Sequence, residues 1–151
     1  MANPPGDTDL RFRILNRIGM IDMLSAAMAT RLLKPVDLPA SLFGLLHHFA
    51  EAPQVPRSVM ALSRAMQVPQ PGVTKRVQKL LRRGLLHEAP SPYDARMKLL
   101  TITPEGLAIH ARAVALLVPT AASVFDGWDE ADLGQLMGAL DRVKQRLDAM
   151  I

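Results

Sequence analysis

Leu10, Ile14, Ile18, Ile21, Met28 and Leu32 recur at spacings of three, four and seven, with polar residues between them. That period fits one face of a long helix from about Asp9 to Leu33, with Thr8 or Asp9 placed to cap its start. Lys34-Pro35 ends it, because the residue before a proline is pushed out of the helical region. Leu42, Leu45, Leu46 and Phe49 predict a short second helix running into the Pro53–Pro56 breaker. A third, from about Arg57 to Met66, carries Val59, Met60, Leu62 and Met66. Val68-Pro69-Gln70-Pro71-Gly72 then suits a tight turn opening a fourth helix, since proline is accepted in a first turn. The buried stripe of that helix is Val73, Val77, Leu80 and Leu81, and Gly84 sits where a helix ends with positive φ.

Beyond Gly84 the period changes. Leu85–Glu88 and Lys98–Thr103 read as two short strands around a long loop, Ala89–Arg96. Thr103-Pro104 opens a fifth helix as a threonine cap followed by proline at the first helical position. Ile109, Ala113, Leu116 and Leu117 continue it toward Pro119. Leu133, Leu136, Met137, Leu140, Val143 and Leu147 mark a last helix, from about Asp129 to Met150, with a near-heptad stripe suited to helix–helix packing. The predicted fold is mainly α with a small β-hairpin. A short helix, a tight turn, a second helix and a hairpin in that order make a winged helix-turn-helix with long flanking helices.

A length of 151 residues favours one compact unit with a core of its own. The chain has no cysteine, which excludes a disulfide scaffold, Cys-ligated zinc, an iron–sulfur cluster and any thiol nucleophile. Met1–Asp7 lacks the basic and apolar regions of a secretory signal. The apolar stretch Ile18–Met28 is interrupted by Asp22, so no bilayer span and no membrane partner are expected, and the cytoplasm is the expected compartment.

Eighteen Lys and Arg against fourteen Asp and Glu give a net charge of only +4. Its distribution is more informative. Residues 70–98 hold seven cations and two carboxylates, a net +5, leaving −1 for the rest. With Val73, Val77 and Leu81 packed inward, the 100° helical step puts Gln70, Pro71, Thr74, Lys75 and Gln78 on the opposite face. Amides there suit adenine, the threonine suits thymine or phosphate, and the lysine suits guanine or phosphate. Arg76, Lys79, Arg82 and Arg83 flank that face as phosphate neutralisers. Only six aromatic residues, four Phe, one Trp and one Tyr, leave too few stacking platforms for single strands, so the expected partner is double-stranded DNA.

The runs Val59–Val68 and Val73–Leu86, then Asp94-Ala95-Arg96 and Leu100–Gly106, together resemble the MarR (multiple antibiotic resistance regulator) family over about residues 40–110. The resemblance implies a homodimer joined by its terminal helices, with recognition helices in successive major grooves and wings in the flanking minor grooves. It divides the chain into a dimerisation helix (1–36), the DNA-binding domain (37–106) and C-terminal dimerisation helices (107–151). Arg96 matches the arginine of the wing tip that enters the minor groove, Asp94 matches the carboxylate that braces it, and Lys98 closes the basic wing. The family's usual Ser or Thr cap of the recognition helix is Pro69 here, and Pro71-Gly72 stands where small hydroxyl residues are usual. The implied function is transcriptional regulation, most often repression of a pseudo-palindromic operator. Release by a small aromatic or phenolic ligand is implied too, with Met23, His47 and His48 as candidate lining. Two alternatives stay open: a winged-helix module for a protein partner, and a DNA-binding protein without ligand response.

Other constellations carry less. Adjacent His47 and His48 point about 100° apart and do not share an ion, and His87 and His110 lie far off in sequence, so no metal or cofactor is expected. Nine methionines sit mostly on apolar stripes, as core residues do. Ser41, His47 and Asp37 are the right types for a catalytic triad, but no nucleophile elbow, P-loop or paired-carboxylate motif accompanies them, so no enzyme is expected.

Overall fold

The computed structural model describes residues 9–151. Thr8, one of the two expected caps, lies outside them. α1 (Leu10–Leu32) starts at Asp9, whose carboxylate accepts the Arg11 backbone N–H at 2.7 Å. It ends at Leu33, followed by a 3-10 turn over Lys34–Val36 that places Pro35 in its first turn. α2 (Ala40–Ala50) buries all four of its expected positions, Leu42, Leu45, Leu46 and Phe49.

α3 spans Val59–Met66 and begins later than the periodicity suggests. Ser58 takes the cap, accepting the Ala61 N–H at 3.1 Å. Arg57 is drawn away because its N–H and C=O both pair with Leu100, each at 2.9 Å, adding one residue of ladder to the hairpin edge. α3 closes on Gln67 in the left-handed region, φ 52°, and the Ser63 hydroxyl donates to the Val68 carbonyl at 2.6 Å. α4 (Gln70–Arg82) starts without a side-chain cap, and the Pro69 carbonyl accepts from Gly72 and Val73 instead. Its end is a Schellman motif: Leu85 N–H bonds the Leu80 carbonyl, Gly84 N–H bonds Leu81, and Gly84 adopts φ 69°.

β1 (Leu86–Pro90) and β2 (Lys98–Ile102) pair antiparallel, Leu86 opposite Ile102 and Pro90 opposite Lys98. The strand therefore extends through Ala89 and Pro90, which shortens the expected loop. Proline is tolerated there because β1 is an edge and Pro90 its last residue. Thr103 joins the hairpin to α5 (Pro104–Val124), its hydroxyl donating to the Gly84 carbonyl at 2.6 Å and accepting the Gly106 N–H at 3.0 Å. One core, with Leu33, Leu38, Leu45, Leu46, Phe49, Leu62, Val73, Leu80 and Leu100 at its centre, unites the first five helices and the hairpin and reaches Ala113.

α5 does not stop at Pro119. Ala115, which loses its N–H donor to the proline, lies on an exposed face where water can serve its carbonyl, and the Ser123 hydroxyl donates to the Pro119 carbonyl at 3.1 Å. The uninterrupted 21-residue helix is long and apolar enough by length and composition to cross a bilayer. Arg112 near its midpoint opposes insertion, a charge at the centre of a span costing about 2.5–3.5 kcal/mol. Of its residues only Gly106 and Ala113 are buried.

The chain divides at Leu117/Val118 into two compact units. In the second, Phe125 and Trp128 meet edge to face, and α6 (Glu130–Asp148) opens with a capping box between Asp129 and Asp132. The stripe Leu133, Met137, Leu140 and Leu147 is exposed, as are Leu10, Ile14, Ile21 and Leu24 on α1.

Candidate nucleic-acid interface

The Ser63 lock and the Schellman motif hold α4 at both ends, and Val73, Val77 and Leu80 anchor its inner face. Gln70, Pro71, Lys75, Gln78, Lys79 and Arg82 are exposed on the outer face, with Thr74 and Arg76 half-buried at its margin. The α4 residues picked from the sequence are thus exposed or half-buried, and no carboxylate lies among them. Lys75, Arg76, Lys79 and Arg82 form no ion pair or side-chain hydrogen bond among the described residues. Arg83 is different. Its guanidinium donates to the Val36 carbonyl at 2.9 Å and to that of Asp37, pinning the end of α4 to the turn after α1. It is a structural clamp, which corrects its assignment to phosphate neutralisation.

The wing tip is built by backbone bonds. Ser91 N–H donates to the Met97 carbonyl at 2.7 Å, and Met97 N–H to that of Asp94 at 2.9 Å. The Asp94 carboxylate accepts the backbone N–H of Arg96 at 2.9 Å. Asp94 therefore braces the turn rather than the guanidinium, which is left free to reach outward. Lys98 is less available than expected, since its ammonium lies 3.0 Å from the Glu88 carboxylate across the hairpin. Tyr93, 97% exposed beside Arg96, is a tip residue that helical periodicity had no means to select.

His47, 63 residues from His110 in sequence, shares a hydrogen bond with it, Nδ1 to Nε2, 2.9 Å. Both rings stack with Phe43 at centroid distances of 5.6 and 5.7 Å. His110, far off in sequence, is thus brought into this site by the fold. Met23 is 73% exposed on α1, and the neighbours of His47 are Phe43, Glu51 and His110. Burial, and then the charge of His47, lower the pKa of His110. Burial, and then Arg57, lower that of His48, with a smaller opposing pull from Glu51. Both rings are thus held neutral in the fold and gain protons more readily when unfolded. Their contribution to stability is present above about pH 6.5 and is lost as the pH falls through their lowered values. The melting temperature is expected to drop between pH 7 and 5, and to drop less in His110→Phe; a wild-type Tm that rises on acidification contradicts this.

The residues considered for a triad are not assembled. Ser41 faces the cations of α4, His47 bonds His110, and the Asp37 carbonyl holds Arg83.

Residues 36–97 match the model of the MarR family. The transcriptional regulator BldR from Sulfolobus solfataricus has the same fold, with 23% identity, a TM-score of 0.79, and coverage of 90% of this chain and 95% of that one. So does a MarR mutant from E. coli complexed with operator DNA, at 23% identity and TM-score 0.73, covering 90% and 99% of the two chains. A MarR transcriptional regulator from Methanosarcina mazei Go1 superimposes with TM-score 0.82 at 13% identity, covering 91% and 98%.

Proposed function

We propose that this chain, whose residues 36–97 belong to the MarR family and whose fold is that of MarR-family transcriptional regulators, binds duplex DNA as a cytoplasmic, homodimeric repressor. The observation that carries this reading is the outer face of α4: four cations that form no ion pair among the described residues, with amides and a hydroxyl, and no carboxylate or large apolar side chain between them. Such a face suits phosphates and base edges better than a protein surface. Its solved structural neighbour bound to operator DNA supports the same reading.

In this account α4 enters the major groove, where Gln70, Thr74 and Gln78 meet base edges and Lys75, Arg76, Lys79 and Arg82 meet phosphates. Arg96 reaches from the wing into the adjacent minor groove. The exposed apolar residues of α1, and separately those of α6, offer dimer contacts, and dimerisation sets two recognition helices about one DNA turn apart, roughly 34–36 Å. A flat aromatic effector fits the stacking chemistry of Phe43, His47 and His110, and shifts the equilibrium only if it binds one spacing of the reading heads better than the other. The test combines sedimentation with binding to the DNA flanking the chain's own gene, with and without aromatic acids. A dimer that binds an inverted repeat there is expected. A stable monomer at micromolar concentration, or a dimer indifferent to duplex DNA, overturns the reading.

A further inference from the structure

Between α2 and α4 lies a cleft of about 260 Å³, lined by Ser41 and Leu42 from one helix and Gly72, Lys75, Arg76 and Lys79 from the other. Three cations share it, and no carboxylate does. Lys75 and Lys79 stand one helical turn apart, a spacing at which like charges repel. Lys98 has Glu88, Lys144 has Asp148 and Arg11 has Asp9, whereas Lys75, Arg76 and Lys79, gathered in one cleft, have no ion-pair partner among the described residues. Ser41 has a free hydroxyl as well. Ser58, Ser63, Ser91 and Ser123 all spend theirs on neighbouring backbone, whereas the hydroxyls of Ser25 and Ser41 make no hydrogen bond among the described residues, and Ser41 is the one that lines the cleft.

An uncompensated cationic cleft with an idle hydroxyl on its facing wall has the composition of an oxyanion seat. We infer that it holds one phosphate group, with Lys75, Arg76 and Lys79 supplying charge and Ser41 donating a hydrogen bond from α2. The space admits a phosphate and several waters. This rests on the duplex-DNA reading, under which the group is a backbone phosphodiester beside the groove that α4 enters. The seat then does something that the outer face of α4 alone does not. A single phosphate gripped from two helices fixes the tilt of the recognition helix, which makes Ser41 a positioning residue for readout rather than a reader of bases.

The test uses Ser41→Asp and Ser41→Ala in the full chain. Asp is favoured in the first turn of a helix, so Ser41→Asp is expected to fold with an unchanged or higher Tm while its carboxylate occupies the seat. Its affinity for operator DNA should fall about tenfold or more, and its plot of log K against log salt should be shallower by about one unit. Ser41→Ala should lose a few-fold in affinity with the slope kept. A parallel titration with inorganic phosphate, followed by phosphorus NMR, separates the two sources of phosphate. Saturable binding that Ser41→Asp abolishes, with DNA affinity and slope untouched, overturns the phosphodiester assignment. If the wild type binds duplex and Ser41→Asp matches it in affinity and slope, with no phosphate binding, the seat is refuted while the DNA reading stands. A wild type that binds no duplex refutes both.

Discussion

Replacing Gly106 with alanine is expected to destabilise the protein by about 3 kcal/mol, at the upper end for overpacking a core, although alanine is about 1 kcal/mol better than glycine inside a helix. The sign is decided by distance. A Cβ at position 106 meets the Leu85 carbonyl oxygen at 2.2 Å and Ile102 Cγ1 at 2.7 Å. The oxygen has no room to retreat, because it accepts the Thr103 N–H at 3.1 Å and belongs to the residue that closes the Schellman motif. The first turn of α5 rests directly on the base of the wing, and only glycine permits that approach. For a chain of this size the loss corresponds to roughly 6–12 °C in Tm. A Gly106→Ala variant that melts with the wild type contradicts this packing account.

Arg96→Ala is the second large effect, and it should leave stability alone. The fold uses the backbone N–H of Arg96, not its guanidinium, so the wing keeps its turn when the side chain is cut. Operator affinity should fall by about 1–3 kcal/mol for each wing, roughly thirtyfold or more for a dimer. The loss should be greatest on operators with A·T-rich flanks, whose narrow minor groove concentrates negative potential. Arg96→Lys should recover part of it, since the charge returns without the planar fork. Unchanged binding by Arg96→Ala removes the wing from the interface.

Much of this architecture is legible in residue order, because the deciding signals are local. Gly84 announces the end of α4, Thr103-Pro104 the start of α5, and Leu42, Leu45, Leu46 and Phe49 the buried face of α2. The candidate reading face of α4 follows from the same arithmetic, as the side opposite Val73 and Val77. What periodicity does not carry is which surfaces meet. Arg83 belongs by spacing to the cationic flank, and only the return of the chain at Val36 and Asp37 makes it a clamp. Likewise His110 of α5 meets His47 of α2 only through the tertiary fold, a contact with no local signature. Proline misleads in both directions. Pro119 sits within a helix on a solvated face, and Pro90 closes an edge strand, since each position tolerates a missing N–H. Ser41 has no local signal for its surroundings, since only the packing of α2 beside α4 brings it to Lys75, Arg76 and Lys79.

The salt dependence of duplex binding tests the central claim most directly. Five cations per protomer, Lys75, Arg76, Lys79, Arg82 and Arg96, are free of ion pairs among the described residues, so up to ten are available in a dimer. Counterion release then predicts a slope of log K against log salt between about −5 and −9, and a loss of roughly 10³- to 10⁵-fold in affinity between 50 and 200 mM salt. A slope near zero, or binding equally tight at both salt concentrations, would contradict a reading head built on those five residues.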